Sequence, residues 1–356
     1  MWVLINTAVD NVDYLDNNNG YLYIGIDAGM FKTSVCTSDG KRFSERSVVA
    51  FSKAEDDSSE AMAILGREAL EMEDADIKEP LADGLKKEDD VIAFKKYLKA
   101  LVTENGIDTD GNIYAIVGVP SDADKEYKKK LLELCRDLFS GAMLVDEVFC
   151  AAYKKGLLDG SIIVDIGLNR TEICIMNGEV PQDTEYLSIP CAGKDIDHEI
   201  VKLIKERWPD SQVTEDVTRE WKEEHGYLCS DPDNCVVNIP LEDGEVEESI
   251  ADELQIACEF VVTDIVSGIT RILSEIAPEL RGSLRNNIHI FGGTSDLGNI
   301  DTFIENELKE LGGGKVYRDL DPVYGISEGA LELSKNMPVE FWEQLDTGKQ
   351  NEEMIV

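Results

Sequence analysis

The sequence predicts a two-lobed α/β protein, and three observations carry that expectation. The chain of 356 residues, 43% hydrophobic, is long enough for two domains with a core apiece. A strand–turn–strand unit near residue 21 recurs 138 positions later. Around the two copies, short apolar strands run into segments with helical spacing.

Residues 1–20 read as a leader before the first strand. They lack a basic n-region and meet acids early, which predicts no signal peptide. The apolar start, MWVLI, reads either as a frayed end or as a docking segment. Residues 21–41, YLYIGIDAGMFKTSVCTSDGK, form a strand, a D-x-G turn, a second strand and an Asp-Gly tight turn, a pair that tolerates positive φ. Farther on, DDVIAFKKYLKALV has apolar residues at helical spacing. IYAIVGVP (113–120) is a buried strand ending in Gly118 and Pro120, and the helix that follows takes Ser121 or Asp122 as its cap. AMLVDEVFCAAYKKGL gives a short strand, an acidic turn and a helix. SIIVDIGLNRTEICIM (161–176) is the second copy of the opening unit: Asp27 falls on Asp165, Gly29 on Gly167, Thr33 on Thr171, Cys36 on Cys174 and Gly40 on Gly178. Last, NNIHIFGGTSDLGNIDTFIENEL reads as a strand, a Gly292-Gly293 turn, and a helix from about Ile300.

Composition narrows the function. The net charge is −39, which argues against nucleic-acid binding except through an adaptor, and against docking on anionic lipid. Copies that self-associate must overcome mutual repulsion, which salt screens over about 8–10 Å. The run EDGEVEESIADE (242–253) reads as a solvated loop and helix start, with a cation or basic-partner site as the alternative. No apolar run approaches the roughly 20 residues of a membrane span. The eight cysteines are scattered without a CxxC pair, and Cys229 and Cys235 are too isolated for a metal site, so reduced thiols in a cytoplasmic protein are expected. With only three histidines, His198, His225 and His289, a zinc centre or a Ser–His–Asp site is poorly supported.

The physics of a duplicated D-x-G turn suits a phosphate chain. Glycines let backbone N–H groups approach phosphate oxygens. An aspartate at each strand end can hold hydrated Mg²⁺, which prefers one or two carboxylates plus waters and phosphates. The alternative is two ordinary hairpins whose aspartates start their turns.

In this order the pieces resemble the actin superfamily of ATPases, and within it the bacterial actin-like filament proteins of the MreB/MamK family. YIGIDAGMFKTSV resembles the first phosphate loop, IIVDIGLNRTEICI the second, LVDEVFCAAYKKG the first connecting helix and IHIFGGTSDLGNI the adenosine loop. LGREALEM with PLADGLKKEDDV is similar to the small upper subdomain of the rod-shape filament proteins, and CAGKDIDHEIVKLI to the start of their second lobe. RSVVAFSK and MPVEFWEQL point to the magnetosome branch. The resemblance implies an actin-like fold: two lobes, each a duplicated RNase H-like mixed five-stranded sheet with a small inserted subdomain. Lobe I is expected at 20–163 with its insert at 52–104, lobe II at 164–340 with its insert at 207–250, and a tail at 341–356. It implies a cytoplasmic, cytoskeletal ATPase that uses ATP and Mg²⁺, polymerises with itself, and organises magnetosomes or another organelle with organelle-associated proteins.

Carried over by position, Asp27 and Asp165 would organise Mg²⁺ through water, and Glu147 with Asp165 the attacking water. Gly29 and Gly167 would line the phosphates, joined by Lys32, Thr33, Asn169, Arg170 and Thr171 in the same turns. Gly292, Gly293 and Thr294 would flank the adenosine. Lys222 and Glu223 fall near the helix that contacts ribose and base. Glu147 has a second reading, as a helix-start acid favoured by the dipole. Both loops depart from the family pattern: Met30 and Phe31 stand in the first; Leu168, Asn169 and Arg170, and Glu172 for the closing aspartate, in the second. Either these side chains block backbone approach to phosphate, or they point away and Arg170 or Lys32 supplies a cation; Arg170 pairing with a surface carboxylate is equally open. Two outcomes of the altered loops stay open, slow turnover and a changed nucleotide preference. The alternatives are a chaperone or small-molecule kinase of the same fold, with Asp195 or Asp197 as the base, and an inactive nucleotide-binding filament regulator.

Overall fold

The structure is a computed structural model and describes residues 20–51, 63–73, 75–178, 181, 183–228, 235–338 and 340–342. The leader before Gly20, residues 52–62, Cys229 and the tail beyond Trp342 lie outside the described residues. The chain divides into two compact units, one running to Gly156 and resuming at Tyr324, the other spanning Leu157–Val323.

In the first unit, β1 (Leu22–Ala28), β2 (Lys32–Thr37) and β3 (Arg42–Arg46) form an antiparallel meander. A three-stranded sheet follows, β4 (Val49–Phe51) between β5 (Ala63–Leu65) and β6 (Asp76–Lys78), with the short helix α1 (Gly66–Leu70). Its small apolar cluster of Val48, Ala50 and Ala69 is its own. The helix α2 (Glu88–Glu104) was expected in that insert too, but its Phe94, Tyr97, Leu98 and Leu101 belong to the unit's main core. β7 (Ile113–Val119) and β8 (Gly141–Asp146) complete the order β3-β2-β1-β7-β8, with β7 parallel to β1 and to β8. Every residue of β7 is buried, as expected of a central strand covered on both faces. Between β7 and β8 runs α3 (Lys125–Leu138), and α4 (Glu147–Lys155) follows β8. The cap of α3 is Asp124, whose side chain accepts from Tyr127 N at 2.7 Å, not Ser121 or Asp122. Those two sit in a turn closed by Ala123 N on Pro120 O, so the helix starts later.

The second unit repeats this plan. β9 (Asp159–Ile166), β10 (Thr171–Asn177) and β11 (Tyr186–Ile189) form the meander. The helices α5 (Gly193–Arg207) and α6 (Glu215–His225) precede a hairpin of β12 (Val236–Leu241) and β13 (Gly244–Ser249). The long α7 (Ala251–Glu275), then α8 (Pro278–Arg285), β14 (Ile288–Phe291), α9 (Ile300–Glu307) and β15 (Val316–Arg318) follow. The sheet order is β11-β10-β9-β14-β15. Trp221, Val237 and Ile239, inside the expected 207–250 insert, pack into the same core as β9, β10 and α7.

Two expected boundaries move. β9 begins at Asp159, so the division falls after Gly156 and not at residue 163. The helix α10 (Gly325–Asn336), placed by sequence in the second lobe, belongs to the first unit. The reason is a close approach: a Cβ on Gly25 of β1 would stand 2.0 Å from Ser327 O, and one on Gly329 1.8 Å from Cys150 O of α4. Only glycine lets α10 lie on both elements.

The duplication extends to hydrogen-bond register. The pairs Ile24–Thr37, Gly25–Cys36, Ile26–Val35, Asp27–Ser34 and Ala28–Thr33 recur, each shifted by 138, as Ile162–Ile175 through Ile166–Thr171. Both copies therefore deliver an aspartate to the end of a central strand, facing the same kind of turn.

Candidate functional site

Each unit supplies one set of the residues singled out in the sequence. In the first, Asp27 ends β1 half-buried, and Glu147 opens α4 nearly buried. Asp146, Glu147 and Asp27 all push up the fully buried thiol of Cys150, after burial itself, so the three carboxylates share one neighbourhood. Gly118 makes room there: a Cβ on it would touch Glu147 Cγ at 3.4 Å and Ile326 at 2.7 Å. Burial also raises Asp146, opposed by Lys128 at 3.5 Å.

The first turn is tied down from within. Thr33 is fully buried, and its hydroxyl meets Ser47 Oγ at 3.0 Å. Ser47 in turn donates to Gly29 O at 2.6 Å. Gly29 itself is pressed against Lys32 O, 2.6 Å from where a Cβ would be. Met30 packs on the unit's core, and Phe31 lies under the Arg46 guanidinium at 4.7 Å. Both bulky residues of the first turn thus contact the protein itself. Lys32, at the head of β2, is half-buried.

The second turn is built alike. Gly167 N donates to Arg170 O at 3.1 Å. Thr171, the twin of Thr33, is fully buried and donates to Cys191 O at 2.7 Å. Both threonine hydroxyls thus brace their turns. Leu168, Asn169 and Arg170 are half-buried. Arg170, which the shift of 138 sets on Lys32, lies within electrostatic reach of Asp165 and favours its ionised form. Burial wins nonetheless: the Asp165 carboxyl is pushed up to about 6, and its Oδ1 is buried without a hydrogen-bond partner. Glu172 is fully buried on the same sheet face, accepting from Tyr186 OH at 2.5 Å.

The glycine pair after β14 closes on this carboxylate. Gly292 has φ +82°, and a Cβ there would sit 2.4 Å from Asp165 Oδ1, so strain and space both demand glycine. A Cβ on Gly293 would meet nothing within 4 Å. Thr294 donates to Gly167 O at 2.8 Å, joining the glycine pair to the phosphate-type turn. Lys222 points inward to Asp197 at 2.5 Å and Gly193 O at 2.8 Å. Glu223, about 100° round the helix, is exposed, so the structure brings Lys222 to the turn and leaves Glu223 apart.

Sequence reasoning missed Gly193, Arg219 and the part played by Asp197. Gly193 N donates to Gly167 O at 3.1 Å and Lys194 N to Leu168 O at 2.7 Å, which seats the start of α5 on the turn. The available signal was the i,i+3 spacing of Arg219 and Lys222, which sets two cations on one helix face.

Asp165 fits a role toward a hydrated divalent cation: it is a buried carboxylate with an unpaired oxygen and no full charge compensation. Among the described residues, no group of three or more His, Cys, Asp or Glu is placed to hold a metal by itself. Neither carboxylate proposed as a general base is available for it. Asp195 accepts from Ala192 N at 2.8 Å, and Asp197 is ion-paired to Arg219 and Lys222.

The family model described as MreB/Mbl protein matches residues 21–338. The actin-like protein MamK of Magnetospirillum gryphiswaldense is 29% identical over 359 residues, which span 97% of this chain and 98% of that protein. Among solved structures, a MamK double helical filament superposes with a TM-score of 0.82 at 28% identity, covering 89% of this chain and 100% of that one. A non-polymerising MamK mutant bound to AMPPNP superposes with a TM-score of 0.72 at 28% identity, covering 89% and 99%. The actin-like fold expected from the sequence, with its sheet repeated in each unit, is the fold observed. Among the described residues no helix is long and apolar enough to cross a membrane.

Proposed function

The chain belongs to the MreB/Mbl protein family, and on that premise we propose that it is an actin-like cytoskeletal protein that binds ATP with Mg²⁺, polymerises, and hydrolyses the nucleotide slowly. It would organise magnetosomes or another organelle from the cytoplasm, with organelle-associated proteins; the MamK relative and the MamK filament structure support the filament-forming part of this reading. The observation that carries the reading is the repeated register, which sets the aspartate of a D-x-G turn at the same strand position in both units, with a cation, Lys32 or Arg170, after each turn.

Asp27 and Asp165 would hold the hydrated ion. Mg²⁺, when bound, neutralises charge that develops on the transferred phosphoryl oxygens. Gly29 and Gly167 keep their turns open to phosphate, and Lys32 and Arg170 add charge. Glu147, held at the first residue of α4 beside Gly118, orients the attacking water as a hydrogen-bond acceptor. Gly293, Thr294 and Lys222 lie on the adenosine side. Slow turnover follows from the turns: neither has a hydroxyl residue directly after its glycine, and both buried threonines are committed to the fold.

Sedimentation tests the reading. Purified protein is expected to pellet with ATP, Mg²⁺ and moderate salt and to remain soluble without nucleotide. A chain that stays monomeric at every nucleotide, salt and protein concentration would overturn it.

A further inference from the structure

Asp197 is fully buried on α5 and touches two cations of α6. Arg219 Nε stands 2.9 Å from its Oδ2 and Lys222 Nζ 2.5 Å from its Oδ1. Arg219 also reaches Asp216 at the exposed rim, 2.9 Å away. Thr218 donates to the Asp197 backbone carbonyl at 2.9 Å, locking the two helices in register. Burial alone pushes the Asp197 carboxyl up; the two cations oppose it.

Around this pair converge three segments far apart in sequence. Lys222 Nζ donates to Gly193 O, Gly193 N donates to Gly167 O, and Thr294 donates to that same Gly167 O. An ammonium has three N–H donors and no acceptor. Gly193 takes one N–H, Asp197 Oδ1 balances the charge as an ion pair at 2.5 Å, and 7% of the Lys222 side chain remains exposed beside Thr294.

We propose that Asp197 is a positioning residue of the nucleoside half-site: its charge holds the Lys222 ammonium against Gly193, so that a further N–H serves an acceptor on the nucleoside. The inference rests on the nucleotide-binding reading above. Asp197 touches no ligand; it acts through Lys222. Without its charge, Lys222 is free to swing toward solvent, while the phosphate turns keep their own braces at Thr33 and Thr171.

The test measures affinity for Mg·ATP and for Mg·tripolyphosphate, which lacks the nucleoside, in the full chain. Asp197→Asn and Lys222→Met are each expected to weaken Mg·ATP about tenfold, the loss of one charge-assisted hydrogen bond. In Asp197→Asn, tripolyphosphate binding shifts less than about twofold, and the double variant binds Mg·ATP no more weakly than Lys222→Met alone. The proposal is overturned if Asp197→Asn leaves Mg·ATP affinity unchanged, if it weakens both ligands equally, or if the two losses multiply. Should Asp197→Asn not fold, the double variant against Lys222→Met carries the comparison: equal affinity supports the proposal and a further loss sinks it. A wild-type chain that binds neither ligand refutes the nucleotide reading itself.

Discussion

A carboxylate buried with one oxygen unpaired, as in Asp165, burdens the folded chain more as pH rises. Its carboxyl is pushed up to about 6 by burial, above the ordinary value near 4. Stability from this group is therefore full below about pH 4 and is lost as pH climbs through about 6. Two pKa units correspond to about 3 kcal/mol, with the opposing attraction of Arg170 already included in the shift. Asp165→Asn is expected to raise the melting temperature of the nucleotide-free protein by several degrees near pH 7.5, with the gain fading below about pH 4. The same variant should lose Mg²⁺-dependent nucleotide binding, measured by calorimetry. Glu147→Ala tests the other carboxylate: phosphate release from ATP should fall by about 10² while nucleotide affinity stays within about threefold. Equal loss of both would make Glu147 a binding or folding residue. At this scale the aspartates and glycines of both turns were legible, because strand-end acids and D-x-G spacing are local signals. The burial of Thr33 and Thr171 was not, since Ser47 and Cys191 reach them only in the folded sheet.

Helices and strands carry their own tests. Asp124 caps α3, and Asp124→Ala should cost about 1 kcal/mol in urea unfolding, whereas Ser121→Ala should cost less. Gly329 lies against Cys150 O with no room for a methyl group. Gly329→Ala should destabilise the first unit by about 1–3 kcal/mol, seen as a shift in the denaturation midpoint. An unchanged midpoint would mean that α10 does not pack there. Strands flanking the turns were readable from their apolar runs, and the helix at Ile300 begins where the glycine turn predicts. The home of α10 was hidden, because nothing in GISEGALELSKN names the surface that its small-residue face covers. Likewise α2 was assigned to the insert by sequence position, and its aromatic face decides otherwise.

For the whole molecule, a net charge of −39 sets the conditions for assembly. Long-range repulsion between copies is screened as ionic strength rises, with a Debye length near 30 Å at about 0.01 M and 8 Å at about 0.15 M. Pelleting with ATP and Mg²⁺ should therefore increase between these salt levels in light scattering and sedimentation, and a decrease would indicate contacts dominated by opposite charges. The twin turns, the apolar strands and the acidity were determined by the sequence alone, because each depends on residues close together in the chain. Tertiary structure decided which strands lie side by side, that α10 rejoins the first unit, and that Asp197 gathers Lys222, Gly193 and the Gly167 turn. Those outcomes depend on contacts between residues tens to hundreds of positions apart, whose free energy exists only once the chain has closed the loops between them.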